Sequence, residues 1–102
     1  MERIDKLRSF LAASPRDPFL NHALALELMK LGDDTGARQV LEQLLTHDPS
    51  YIGSYYHLAR LLERQGERQL AIDWYQKGMT AARAARDMHA YNELQAAFED
   101  LE

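Results

Sequence analysis

The stretch Tyr55-Tyr56-His57-Leu58-Ala59-Arg60-Leu61-Leu62-Glu63-Arg64-Gln65-Gly66-Glu67-Arg68-Gln69-Leu70-Ala71-Ile72-Asp73-Trp74-Tyr75 decides the fold. Leu58 and Leu62 stand four apart, as do Ala71 and Tyr75, so each half of the stretch carries an apolar stripe at helical spacing. Gly66 separates the halves and supplies a residue able to take the left-handed turn that stops a helix. Ala59 and Ala71 keep one side of each helix small, which lets the two helices approach closely. The same arrangement occurs 34 residues earlier, as Asn21-x2-Leu24-Ala25-x2-Leu28-x3-Gly32-x4-Ala37-x3-Leu41. Laying residues 18–51 over 52–85 gives six identities, and five of them (Leu24/Leu58, Ala25/Ala59, Leu28/Leu62, Gly32/Gly66, Ala37/Ala71) fall where a pair of packed helices demands a particular volume.

Working outward, residues 2–14 place Ile4, Leu7, Phe10 and Leu11 on one expected helical face. Ser14-Pro15 ends that helix, because a residue before proline avoids the helical region. Asp17-Pro18 reads as an N-cap followed by proline at the first helical position, opening a helix that runs to about Leu31. A third helix is expected over 34–47. Asp48-Pro49 is read as a repeat of the cap-and-proline device, opening a fourth helix that stops at Gln65-Gly66. A fifth spans about 67–86, and Asp87 caps a sixth with Tyr91, Leu94, Phe98 and Leu101 on one stripe. Period-2 alternation is absent, so the expected fold class is all-α with about six helices.

Composition agrees. The chain has 102 residues, 46% hydrophobic and 27% charged, which suits one soluble domain. Val occurs once, at Val40, while Ala, Leu, Glu, Gln and Arg dominate. Net charge is −4 and no basic block exceeds two adjacent cations, which argues against a nucleic-acid surface. There is no Cys, hence no disulfide framework and no thiolate metal site. Met1-Glu2-Arg3-Ile4-Asp5-Lys6 lacks the apolar run of a signal peptide, and no segment reaches the ~20 apolar residues of a membrane span. A cytoplasmic location without membrane association is the expectation.

The 34-residue period and the Leu-Ala-x2-Leu, Gly and Ala positions resemble the tetratricopeptide repeat, in a small two-repeat protein of bacterial type. The chain departs from the family pattern where Asn21 replaces an aromatic, Ala25 and Ala59 replace glycine, and Arg83 replaces the closing proline. The resemblance implies a right-handed stack of antiparallel helix pairs, an α-solenoid, as a single domain over 1–102. Its parts would be an N-terminal half-repeat helix (2–14), repeat 1 (18–51), repeat 2 (52–85) and a capping helix (87–102), where Asn92 and Glu93 fall at the Leu-Ala positions.

The resemblance also implies a non-catalytic protein-binding module, in which the first helix of each pair lines a concave groove for a peptide or partner protein. In this register the groove residues are Phe19, His22, Leu26 and Met29, then Gly53, Tyr56, His57, Arg60 and Glu63, with Ala90, Tyr91 and Leu94 closing the far wall. The family's carboxylate clamp of lysines and asparagines is absent, since its positions hold His22, Leu26, Gly53 and His57. Two alternatives stay open: Phe19, Leu26 and Met29 are covered by the first helix or by a second subunit, and the chain is a self-assembling scaffold with no separate ligand. Trp74 suits packing or partner binding equally, whereas Tyr75 is expected in the core. No cofactor is expected. His22, His47, His57 and His89 share no metal-ligand spacing, adjacent carboxylates such as Asp33 and Asp34 do not share a helical face, and no nucleophile or phosphate-loop motif occurs.

Overall fold

The computed structural model describes residues 2–101, which form six helices. These are α1 Arg3–Ala13, α2 Pro18–Lys30, α3 Asp34–His47, α4 Gly53–Arg64, α5 Arg68–Ala84 and α6 Met88–Glu99. No strand occurs among the described residues. The chain divides into two compact units, one ending at Asp48 and the other starting at Pro49.

In the first unit α2 packs against both α1 and α3. Its start is fixed as expected: Asp17 Oδ1 accepts the Leu20 N–H at 3.0 Å, and Pro18 occupies the first helical position. Leu24, Ala25 and Leu28 of α2 and Ala37, Leu41 and Leu44 of α3 are all buried, with the two alanines fully so. Arg3, at the start of α1, pairs with Glu27 near the end of α2 at 2.9 Å, so these helices run antiparallel. Leu7 is the buried residue of α1, flanked by half-buried Ile4 and Leu11. Phe10 does not join them; it is 60% exposed. At about 100° per residue it points roughly 90° away from their mean direction, which corrects the expectation that all four share a face.

In the second unit α5 is central, packing against both α4 and α6. Its buried stripe is Ala71, Tyr75, Gly78 and Ala82. At Gly78 the crowding is severe: an added Cβ would lie 2.7 Å from Tyr55 Cβ of α4 and 3.0 Å from Leu94 Cδ1 of α6. Only a residue without a side chain lets both neighbours close on α5 at that level. Tyr75 is completely buried, as expected for a core aromatic.

Three hairpin turns share one construction. After α2, the Gly32 N–H donates to Met29 O (3.0 Å) and the Asp33 N–H to Leu28 O (2.8 Å). After α4, Gly66 and Glu67 repeat this toward Glu63 O and Leu62 O, and after α5, Arg86 and Asp87 do so toward Arg83 O and Ala82 O. This is the Schellman arrangement, which needs its central residue in the left-handed region. Gly32 (φ +83) and Gly66 (φ +77) fulfil that need without strain, and Arg86 (φ 59) fulfils it with a side chain attached. α5 therefore ends at Ala84, three residues beyond the length of α3 but short of Arg86. The residue after each turn also starts the next helix, and Asp33 and Asp87 accept the N–H of Gly36 (2.9 Å) and Ala90 (3.1 Å).

The reading of Asp48-Pro49 as a helix-opening pair is corrected. Asp48 ends α3, its N–H donating to Leu44 O, and α4 begins only at Gly53. The 34-residue register explains why: Asp48-Pro49 corresponds to Ser14-Pro15, a stop, whereas Asp17-Pro18 corresponds to Tyr51-Ile52. The proline forbids helix at the residue before it and does not by itself begin one.

The left-handed sites yield two substitutions of opposite sign. Gly66→Val is expected to destabilise the fold by at least ~1 kcal/mol, although the space around its Cβ is open, because φ there is positive. Arg86→Gly is expected to stabilise it by about 0.5–1 kcal/mol by relieving the same strain. Chemical denaturation of both variants measures the two signs, and a neutral Gly66→Val would refute the role of the turn.

Candidate functional site

Within the first unit, Phe19, His22, Leu26 and Met29 stand at i, i+3, i+7 and i+10 along α2, so they form a single stripe. Buried Leu24 and Leu28 point about 180° away from it. Phe19 is 68% exposed, and His22, Leu26 and Met29 are half-buried. The structure thus brings these four together on a face with apolar area open to solvent. In the first unit neither α1 nor α3 covers Phe19.

Within the second unit, Tyr56, His57, Arg60 and Glu63 share the outward side of α4, opposite buried Tyr55, Leu58, Ala59 and Leu62. They form a linked ladder. The Arg60 guanidinium lies 5.8 Å from the Tyr56 ring centroid, and Arg60 Nε lies 3.8 Å from Glu63 Oε2. The Tyr56 and His57 rings meet edge-on at 5.9 Å. Glu63 is also held from beneath, because the buried Tyr75 hydroxyl of α5 donates to the same Oε2. Burial, then that hydrogen bond, then the charge of Glu63 push the Tyr75 phenol far above its ordinary range, so it remains a neutral donor. Glu63 is therefore positioned by the core, and Arg60, with its side chain half exposed, is the cation this face offers to a partner.

The far-wall residues behave differently. Leu94 is 1% exposed and packs against Gly78, so it belongs to the core of the second unit and cannot contact a ligand. This corrects its assignment: the slipped repeat register of α6 turns Leu94 inward where Arg60 points outward. Tyr91 is half-buried and engaged by α5, its hydroxyl accepting from Arg83 Nη2 at 2.6 Å with the guanidinium 4.9 Å from the ring centroid. Trp74 is likewise packed, tilted against Tyr55 at 6.0 Å and covered by Lys77 Nζ at 4.4 Å. Among the described residues no cluster of three His, Asp or Glu side chains is arranged to hold a metal ion.

One feature escaped the sequence reading. A cleft of about 440 Å³ in the first unit is lined by Pro15, Arg16, Asn21, Gln43 and His47, among others. Asn21 Nδ2 donates to Pro15 O at 3.0 Å and to Asp17 O at 2.9 Å, clamping the connection between α1 and α2. In the second unit Tyr55 does the matching job 34 residues on, its hydroxyl donating to Pro49 O at 2.5 Å. Asn21 and Tyr55 thus hold matching positions, but Asn21 borders an open cleft whose wall includes Leu44, whereas the Tyr55 ring is buried beside Gly78, the residue matching Leu44. The signal was in the sequence, as the departure at Asn21.

These features define a protein built of short helical hairpins, with one outward stripe on the first helix of each pair. The tetratricopeptide repeat family model matches residues 18–61, and a second such model matches residues 52–84. A tetratricopeptide repeat domain protein from Salinibacter ruber, known from a solution structure, is 40% identical with a TM-score of 0.83, over 86% of this chain and 89% of that one. A protein from Bordetella parapertussis is 25% identical with a TM-score of 0.83, over 99% and 88%. MamA, at 19% identity and a TM-score of 0.72 over 96% of this chain and 56% of that one, shares the fold. No curated protein matches the sequence. The chain belongs to the tetratricopeptide repeat family, whose repeats generally mediate protein–protein interactions and are generally non-catalytic.

Two measurements test this geometry. Asn21→Tyr is expected to fill the cleft and raise stability by about 1 kcal/mol, read by denaturant titration; a destabilised variant would sink the account of the cleft. His57 supplies the second. Burial lowers its pKa below the ordinary histidine value, partly offset by the negative charge of Glu93. The unfolded chain then takes up a proton before the folded one as pH falls through about 6.5, so stability falls with it. His57→Asn is expected to flatten the dependence of the thermal midpoint between about pH 7.5 and about pH 5.5.

Proposed function

We propose that this chain is a non-catalytic binding module that recognises a polypeptide partner through the outward stripes of α2 and α4, each stripe contacting the partner in its own right. The observation that carries this reading is the α2 stripe, where Phe19, Leu26 and Met29 present apolar area to solvent on a helix whose opposite face is fully committed to the core. A large exposed aromatic beside an adaptable methionine suits burial of apolar side chains from a partner. The α4 stripe adds recognition of another kind: Tyr56 offers an aromatic surface and Arg60 a cation able to pair with a carboxylate. The partner is thus a segment with apolar side chains and at least one acidic residue. Since the family's lysine and asparagine clamp has no counterpart at His22, Leu26, Gly53 and His57, a terminal carboxylate is not the recognised feature. A cytoplasmic location is part of what we propose; separately, no described helix is long and apolar enough to cross a membrane.

The test is comparative capture from a lysate of the source cells with the wild-type chain, Phe19→Ala/Met29→Ala and Tyr56→Ala/Arg60→Ala. The expected outcome is a partner retained by the wild type and lost, by about tenfold or more in affinity, from each double variant, while circular dichroism stays unchanged. Retention of the partner by both variants would overturn the assignment. Loss of helicity would show these residues to be core.

A further inference from the structure

The first and last described helices expose complementary faces. In the 34-residue register, α1 corresponds to α3, a second helix, so Arg3, Leu7 and Phe10 match Ala37, Leu41 and Leu44. Those three α3 residues are buried in the unit where α3 packs against its own first helix, α2. α1 has no first helix before it in the described chain, and Phe10 on that face is 60% exposed. In the same register α6 corresponds to α4, a first helix, and Asn92, Glu93 and Ala96 match Leu58, Ala59 and Leu62. All three α4 residues are fully buried, whereas all three α6 residues are exposed.

We propose that α1 of one copy docks against α6 of a second copy, so that the two exposed faces cover one another. Orientation and charge both fit. Within a helical pair the partners run antiparallel, which sets the end of α1 against the start of α6. There Phe10 and Ala13 meet Met88, which is 51% exposed, and His89. At the other end Lys6 of α1 meets Glu99 and Asp100 beside the end of α6, with Arg3 already paired to Glu27 of its own chain. Arg3, Lys6, Phe10 and Ala13 lie on one stripe at i, i+3, i+7 and i+10, and His89, Asn92, Ala96 and Glu99 repeat that spacing. The two helices are of nearly equal length, 11 and 12 residues. Residues 3–13 hold three cations, Arg3, Lys6 and Arg8, against Asp5 alone, whereas residues 87–102 hold five carboxylates and no Lys or Arg. Small Ala13 and Ala96 near the seam permit close approach. Because polar Asn92 and Glu93 replace Leu and Ala, the contact relies on charge and on the two exposed apolar ends, and so it is concentration-dependent and salt-sensitive. It is heterologous, since different surfaces meet, and it is independent of the α2 and α4 stripes.

The experiment is sedimentation velocity and light scattering on the full chain, from about 10 μM to about 1 mM and from about 50 mM to about 500 mM salt. The expected result is a mass that rises with concentration at low salt and returns to that of a single chain at high salt. Lys6→Glu and Glu99→Lys should each abolish the rise, and the chain carrying both should recover it, because the pair is then reversed. Phe10→Ala should weaken association without altering the circular dichroism spectrum. A single-chain mass under every condition would overturn the proposal. So would association that the Lys6 and Glu99 variants leave unchanged, or that only the α2 and α4 variants disrupt.

Discussion

Three times this chain ends a helix on a residue in the left-handed region and reverses within three residues. Each reversal uses two backbone hydrogen bonds that point back into the last turn of the helix, and the residue after it begins the next helix. The geometry leaves no slack. With so short a connection the following helix must run back along its predecessor, and the side chains that face it are fixed by counting from the turn. Ala25 and Leu28 precede the first reversal by a set number of residues, Ala37 and Leu41 follow it by a set number, and all four are buried. The second reversal repeats this with Ala59, Leu62, Ala71 and Tyr75. The outward stripes are consequences: whatever the turn directs away from the partner helix is left for other work.

That dependence explains what could be read from the sequence. Glycine at a left-handed position and leucine or alanine at a packing position are local choices with few substitutes, so the repeats, the six helices and the burial of Tyr75 were legible. Arg86 hid the third reversal, because an arginine in that conformation carries no compositional mark. Asp48-Pro49 misled because one dipeptide serves as a helix stop in one setting and a cap-and-start in another. Only the 34-residue register separates these uses. Phe10 and Leu94 failed for different reasons. Phe10 sits near the margin of its helix's apolar arc, where about 90° of rotation exchanges core for solvent. Leu94 sits at the centre of the α6 stripe, and only the 34-residue register, which α6 does not keep, set it outward.

The outward stripes differ in how strongly the core governs them. On α2, Phe19 projects from the first turn with most of its surface in water. On α4, the stripe is tied down: Tyr75 fixes Glu63, Glu63 draws in Arg60, and Arg60 lies by the Tyr56 ring. A positioned ladder of this kind loses less side-chain freedom on binding than an unconstrained one, which favours selectivity there and tolerance at α2. Asn21 and Tyr55 show the same division in the scaffold. They perform one hydrogen-bonding task, but the Tyr55 ring is buried beside Gly78 whereas Asn21 borders an open cleft, so the first unit is the more loosely packed at that connection.

The ends of the chain pose the remaining question of why α6 abandons the Leu-Ala-x2-Leu pattern while keeping its helix, its Asp87 cap and its packing on α5. Leu, Ala and Leu at positions 92, 93 and 96 would present an apolar face at a place that is exposed among the described residues. Asn92, Glu93 and Ala96 remove that liability, and burial of Leu94 and Ala97 keeps the helix attached to α5. The same exchange sets the character of any contact made there. An apolar face would accept almost any apolar partner, whereas a carboxylate-bearing face beside a small residue favours a basic one. α1 is such a helix, with Lys6 toward one end and Phe10 toward the other. The polar residues that stand in place of an apolar face are therefore also the ones on which the proposed contact with a second copy depends.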